Sequence, residues 1–110
     1  FFPYTYAVFG AMSDKDINGI LLHLKDKIDH WYLCDLPLPR AARAESPAHT
    51  LDAMGFMVGT EGGTERSVRC FGTPAEAYAA ARDSVGENDR IVVFGSFLTV
   101  AGVMAARAAQ

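Results

Sequence analysis

The sequence predicts an α/β domain built on a Rossmann-like, mostly parallel sheet with helices on both faces. Strand-like apolar runs alternate with helical stripes four times along the 110 residues, in the order βαβαβαβα. Two of those runs end in the same Val-Phe-Gly, at 8–10 and at 93–95. The last run, Ile91–Phe94, is apolar without alternation, as a strand covered on both faces requires. Right-handed crossovers and the usual half-fold order 3-2-1-4 then set the first and fourth predicted strands side by side. Ligands of such sheets sit outside the carboxyl ends of the strands, where the order reverses.

The first strand is read over Tyr6–Met12 and ends at Gly10. Asp14–Ile28 follows as a helix, because Ile17, Ile20, Leu21, Leu24 and Ile28 repeat at helical spacing. Asp29–Leu36 is aromatic and β-prone, with Trp31 and Tyr32 as core and edge aromatics, and Pro37 and Pro39 stop it. The loop Pro37–Glu45 carries Arg40 and Arg43, on the carboxyl side of that strand, where a guanidinium can fork onto a carboxylate. Ser46-Pro47 reads as a cap followed by proline at the first helical position, with Leu51, Met54 and Met57 along one face. Gly59–Thr64 is a turn or loop and Ser67–Phe71 a short strand. Thr73-Pro74-Ala75-Glu76 is a capping box opening an alanine-rich helix to about Val85. Gly86–Asp89 breaks it, Ile91–Phe94 is the fourth strand, and Phe97–Ala109 the last helix.

Composition narrows the function classes. Half the residues are hydrophobic and the net charge is -3, with no block of Lys or Arg to neutralise a phosphate backbone, so neither nucleic acid nor a membrane surface is an expected partner. No apolar run approaches the ~20 residues of a membrane span, and the two cysteines, Cys34 and Cys70, read as reduced, semi-buried thiols. A cytoplasmic location is expected. The three histidines have no metal-like spacing to Cys, Asp or Glu, so no metal site is expected. No Gly-x-x-x-x-Gly-Lys-Ser/Thr loop is present to cradle a nucleoside triphosphate.

The two Val-Phe-Gly ends frame the candidate site. Gly10 and Gly95 let backbone approach a ligand, and Ser96 opens the last helix beside free N–H groups, a setting for a carboxylate or phosphate oxygen. The same spacing suits a plain helix cap. A nucleophilic Ser96 fails the Gly-x-Ser-x-Gly pattern and lacks a partner base. Asp14-Lys15-Asp16 reads either as a charged helix start or as part of the same margin, since a cation at a helix N-terminus is unfavourable without an anion nearby.

The stretch AVFGAMSDKDINGILLHLKDKIDHWYLCDLPLPRAA, with DRIVVFGSFLTVAGVM some fifty residues later, resembles the C-terminal domain of the bacterial dihydrofolate synthase/folylpolyglutamate synthase family, relatives of the Mur ligases. The resemblance covers nearly the whole chain; the opening residues Phe1–Thr5 fall outside it. It implies one domain over residues 1–110, a fragment of a longer enzyme that joins L-glutamate to dihydropteroate or folate through an acyl phosphate. It implies ATP and Mg2+ held mainly by a separate N-terminal P-loop domain, none bound by this fragment, and no catalytic residue within it. By resemblance Ser96, Phe97 and Arg40 belong to the glutamate site, and Asp14, Lys15 and Asp16 face the cleft and nucleotide. A stand-alone flavodoxin-like or receiver-like binding module is the competing reading. Gly-Ala-Met-Ser after the first strand and Cys70-Phe-Gly-Thr73 after the third fit neither well.

Overall fold

The computed structural model describes residues 3–59 and 66–109. Five parallel strands, β1 (Thr5–Phe9), β2 (His30–Cys34), β3 (Met57–Val58), β4 (Ser67–Phe71) and β5 (Arg90–Phe94), lie in the order β3-β4-β2-β1-β5. The four strands expected from the sequence therefore keep the 3-2-1-4 order, and β1 and β5 are neighbours, Phe9 opposite Phe94. The helices are α1 (Ile17–Leu24), α2 (Glu45–Ala53), α3 (Pro74–Ser84) and α4 (Phe97–Ala108).

The alternation of side chains along each strand divides the core into two layers. Ala7, Phe9, Trp31, Leu33 and Val68 pack with Leu21 of α1 and Ala48 and Leu51 of α2. Tyr6, Val8, Tyr32 and Cys34 pack on the opposite face with Ala77, Tyr78 and Ala81 of α3 and Val103 of α4. Both faces are covered, so β1 and β2 are buried throughout and read as continuous apolar runs. Tyr32 is a core residue and not an edge aromatic: it is fully buried and its ring stacks on Phe71 at 5.6 Å. His30 is buried too, its Nδ1 2.7 Å from Ser67 Oγ.

Several boundaries differ from the expected ones: β1 stops at Phe9 and not Met12, α1 at Leu24 and not Ile28, and β2 is trimmed to His30–Cys34. Helix α1 starts at Ile17, because Asp16 caps it by accepting from the Gly19 N–H at 3.1 Å, and Asp14 and Lys15 lie in the preceding turn. Ser46 does not cap α2. The helix starts two residues earlier than expected, at Glu45, and the carboxylate of Asp35, at the end of β2, accepts from the Ala44 N–H at 2.7 Å. Pro47 then occupies the third helical position, where its missing N–H has no intrahelical acceptor to lose. Met57 is not on the face of α2: Gly55, at φ +100°, ends that helix, and Met57–Val58 pair with Ser67–Val68 as the edge strand β3. The loop expected over Gly59–Thr64 lies outside the described residues beyond Gly59.

Cys34 and Cys70 are both free, one buried and one exposed. Cys34 is opposite Phe71 in the β2–β4 register and Cys70 opposite Leu33, so the two thiols leave the sheet on opposite faces. Burial, with Asp35 adding to it, pushes the Cys34 thiol up to about 12. The folded state therefore keeps the neutral thiol while the unfolded chain ionises near 9, and stability present below pH 9 is lost as pH rises toward 12. Urea midpoints should fall over that range, and Cys34→Ala should flatten the fall; a wild-type midpoint unchanged between pH 8.5 and 10.5 would refute it.

Candidate functional site

The carboxyl ends of β1 and β5 meet in a contact that tolerates only glycine. Gly95 has φ +113°, and a Cβ there would overlap the Gly10 carbonyl oxygen and lie 2.8 Å from the Phe9 ring. A Cβ on Gly10 would in turn lie 2.7 Å from Cys34 Sγ. Across this contact the Thr99 hydroxyl, buried one turn into α4, donates to the Gly10 carbonyl at 2.7 Å. The start of α4 is thus bolted to the end of β1.

Ser96 sits at that start as the N-cap, and its Oγ accepts from the Leu98 N–H at 3.1 Å. The capping bond uses an oxygen lone pair, so the hydroxyl proton is left to donate. The Phe97 N–H, at the first helical position, has no intrahelical acceptor. Hydroxyl, amide and the positive end of the α4 dipole share the strand-end margin. The Phe97 ring is 82% exposed.

The loops after β1 and β2 form one unit. The Ser13 N–H and hydroxyl both donate to the Arg40 carbonyl, at 2.8 and 2.7 Å. Met12 and Ala41 make an antiparallel bridge, and the Ala42 N–H donates to the Ala11 carbonyl at 2.9 Å. Arg40 is therefore held against the turn carrying Asp14, Lys15 and Asp16, and all four side chains are exposed. A polar hollow of about 260 Å³ beside that turn is lined by Ser13, Lys15, Asp16, Asn18, Ala42 and Ser46. Arg43 is engaged elsewhere, 3.6 Å from the Asp35 carboxylate.

Ser96 with Phe97, and Arg40 with Asp14–Asp16, are thus two groups on the same carboxyl margin, and no side-chain hydrogen bond or ion pair joins them among the described residues. Asp16 also serves as the α1 cap, as a charged helix start would. Sequence reading passed over Thr99, Ser13 and Asp35. Thr99 left a faint signal, a hydroxyl three residues after the Gly-Ser turn on an otherwise apolar helix face. Ser13 and Asp35 act on chain 27 and 9 residues away, beyond any local pattern. Among the described residues no cluster of His, Cys, Asp and Glu could hold a metal ion, and no helix is long and apolar enough to cross a membrane.

Residues 3–97 match the model of the Mur ligase glutamate ligase domain. The chain belongs to that family. It is 38% identical over 98 residues to the dihydrofolate synthase/folylpolyglutamate synthase of Escherichia coli K12, a match covering 89% of this chain and 20% of the relative. The Haemophilus influenzae enzyme of the same name is 32% identical over 86% of the chain and, again, 20% of the relative. The chain thus spans about a fifth of the curated relatives it matches. Its fold superposes on E. coli FolC in complex with ADP at TM-score 0.83, with 34% identity over 99% of this chain and 23% of that one. A bifunctional folylpolyglutamate synthase/dihydrofolate synthase with Mn, AMPPNP and L-glutamate bound gives TM-score 0.78 at 35% identity, over 96% and 22% of the two chains.

Proposed function

We propose that this Mur ligase domain is the glutamate-handling part of a longer ATP-dependent ligase that adds L-glutamate to dihydropteroate or folates. The carrying observation is Ser96: a hydroxyl donor, a helix N-terminus and the crossover of the sheet coincide at one point. An anionic group docked there gains a charge-assisted hydrogen bond and the favourable end of the α4 dipole. The glutamate carboxylate is that group, with the exposed Phe97 ring beside it and Arg40 as a second cationic contact.

The domain's contribution is positioning. ATP and Mg2+ are held by a separate P-loop domain of the same enzyme, which phosphorylates the pteroate or folate carboxyl group, and Asp14, Lys15 and Asp16 face the nucleotide across the cleft. The glutamate amine, aimed from the Ser96 end, attacks the acyl phosphate and expels phosphate. Holding amine and acyl carbon together replaces a bimolecular encounter with an effectively intramolecular one. The activities for which the relatives are named support the substrate class, and the ADP, AMPPNP, Mn and L-glutamate of the solved relatives support the co-substrates.

The test uses the chain by itself and within the longer ligase. Alone, with ATP, Mg2+, dihydropteroate and glutamate, it should form no ADP above a protein-free control. The longer ligase should form ADP in step with dihydrofolate or folylpolyglutamate, and only when glutamate is present for turnover. ADP formation by the 110-residue chain, or a longer enzyme that ignores glutamate, would overturn the proposal.

A further inference from the structure

Pairing between β1 and β5 runs out at Phe9 and Phe94, and a glycine follows each of them. Gly10 leads into the turn that carries Ser13, Asp14, Lys15 and Asp16, and Gly95 leads into Ser96. Glycine is the most permissive backbone position, so two soft joints stand side by side where the candidate site needs a fixed geometry.

Thr99 closes both joints. Its N–H donates to the Ser96 carbonyl at 3.1 Å, and its hydroxyl donates to the Gly10 carbonyl at 2.7 Å. The fit around Gly10 is tight, since a Cβ there would lie 3.1 Å from Thr99 Oγ1 and 3.0 Å from the Cys34 carbonyl oxygen. One turn further along the same face of α4, Val103 packs in the apolar core. A hydroxyl buried on that face costs desolvation, which the bond to Gly10 offsets. Three residues beyond Gly10, Ser13 holds the Arg40 carbonyl through its own hydroxyl. Ser96 and Arg40 are therefore joined at a distance, through Thr99 and Gly10 on one side and Ser13 on the other.

Resting on the reading of Ser96 and Arg40 as two sides of the glutamate site, we propose that Thr99 is a positioning residue for the ligation. It holds the head of α4 at a fixed separation from the turn that braces Arg40, so that a glutamate gripped from both sides presents its amine to the acyl phosphate. Thr99 is fully buried and acts only through these neighbours. Its loss leaves the glutamate contacts in place and lets them drift relative to one another. Glutamate still binds, but its amine is aimed less well, and a misplacement of about 1 Å costs about a hundredfold in rate. Loss of a direct contact made equally in ground and transition states would instead raise KM and spare kcat.

Thr99→Val and Thr99→Ser in the longer ligase test this. Valine keeps the volume and removes the hydroxyl, whereas serine keeps the hydroxyl and removes a buried methyl, so both variants should melt below wild type. Thr99→Val should lower kcat about ten- to a hundredfold with the glutamate KM within about threefold of wild type, and Thr99→Ser should restore kcat. Turnover then follows the hydroxyl and not the stability. A folded Thr99→Val enzyme with wild-type kcat, or equal losses of kcat in both variants, would overturn the proposal. If Thr99→Val does not fold, Thr99→Ser carries the test: kcat retained in a protein that melts lower supports the proposal, and kcat lost with the methyl overturns it. Ser96→Ala in the same ligase separates the two readings. An unchanged glutamate KM there would sink the reading of the site and this proposal with it; a raised KM there, beside wild-type kcat in Thr99→Val, would sink the role of Thr99 alone.

Discussion

Gly95→Ala should be among the most damaging single-methyl changes this fold can suffer. At φ +113° an L-residue is strained wherever it stands, at a cost of about 1–3 kcal/mol. Here the added Cβ also overlaps the Gly10 carbonyl oxygen and crowds the Phe9 ring. That carbonyl cannot retreat freely, because it accepts the buried Thr99 hydroxyl, and overpacking of a tight core adds about 1–3 kcal/mol. The sum, about 2–6 kcal/mol, lowers the melting temperature of a domain this size by about 10 °C or more. Gly55→Ala is the control: φ is +100° there and no atom lies within 4 Å of the added methyl, so only the backbone term applies. If the two variants melt together, the β1–β5 contact is not the close junction described above.

That junction explains which parts of the structure could be read from the sequence. The repeated Val-Phe-Gly declared it, since an apolar run ending in glycine is a local pattern and strand alternation fixes the neighbours. The capping box at Thr73–Glu76 was equally legible: Thr73 accepts from the Glu76 N–H at 3.1 Å, three residues away. The start of α2 was not. Ser46-Pro47 imitates a local cap, but Asp35, nine residues upstream and at the end of another element, supplies the acceptor. Met57 was misread for a related reason. Its spacing continues the helical stripe, and only the positive φ of Gly55 and the pairing with β4 turn it into a strand. In the candidate site, the Gly-Ser turn at the head of α4 was visible as a motif. The latch from Ser13 to the Arg40 carbonyl, which joins two loops 27 residues apart, exists only once the sheet has brought them together.

Ser96→Ala in the longer ligase should raise the Michaelis constant for glutamate by about ten- to a hundredfold, the loss of one hydrogen bond to a charged group, about 1.5–3 kcal/mol. If Ser96 holds glutamate equally in ground and transition states, the maximal rate should change little, and a lower rate would show that it also aims the amine. On the proposal that a separate P-loop domain holds ATP and folate, the constants for those two ligands should stay near wild type. The capping bond complicates this variant, since losing the Leu98 N–H acceptor costs about 1 kcal/mol of stability by itself. Ser96→Asp separates the two roles. Its carboxylate still caps α4 and suits the helix dipole, so stability should be kept. It offers no proton and carries a charge that repels a glutamate carboxylate, so the glutamate constant should rise at least as far as in Ser96→Ala. A folded Ser96→Asp enzyme with an unchanged glutamate constant would leave Ser96 as a helix cap and remove it from the substrate site.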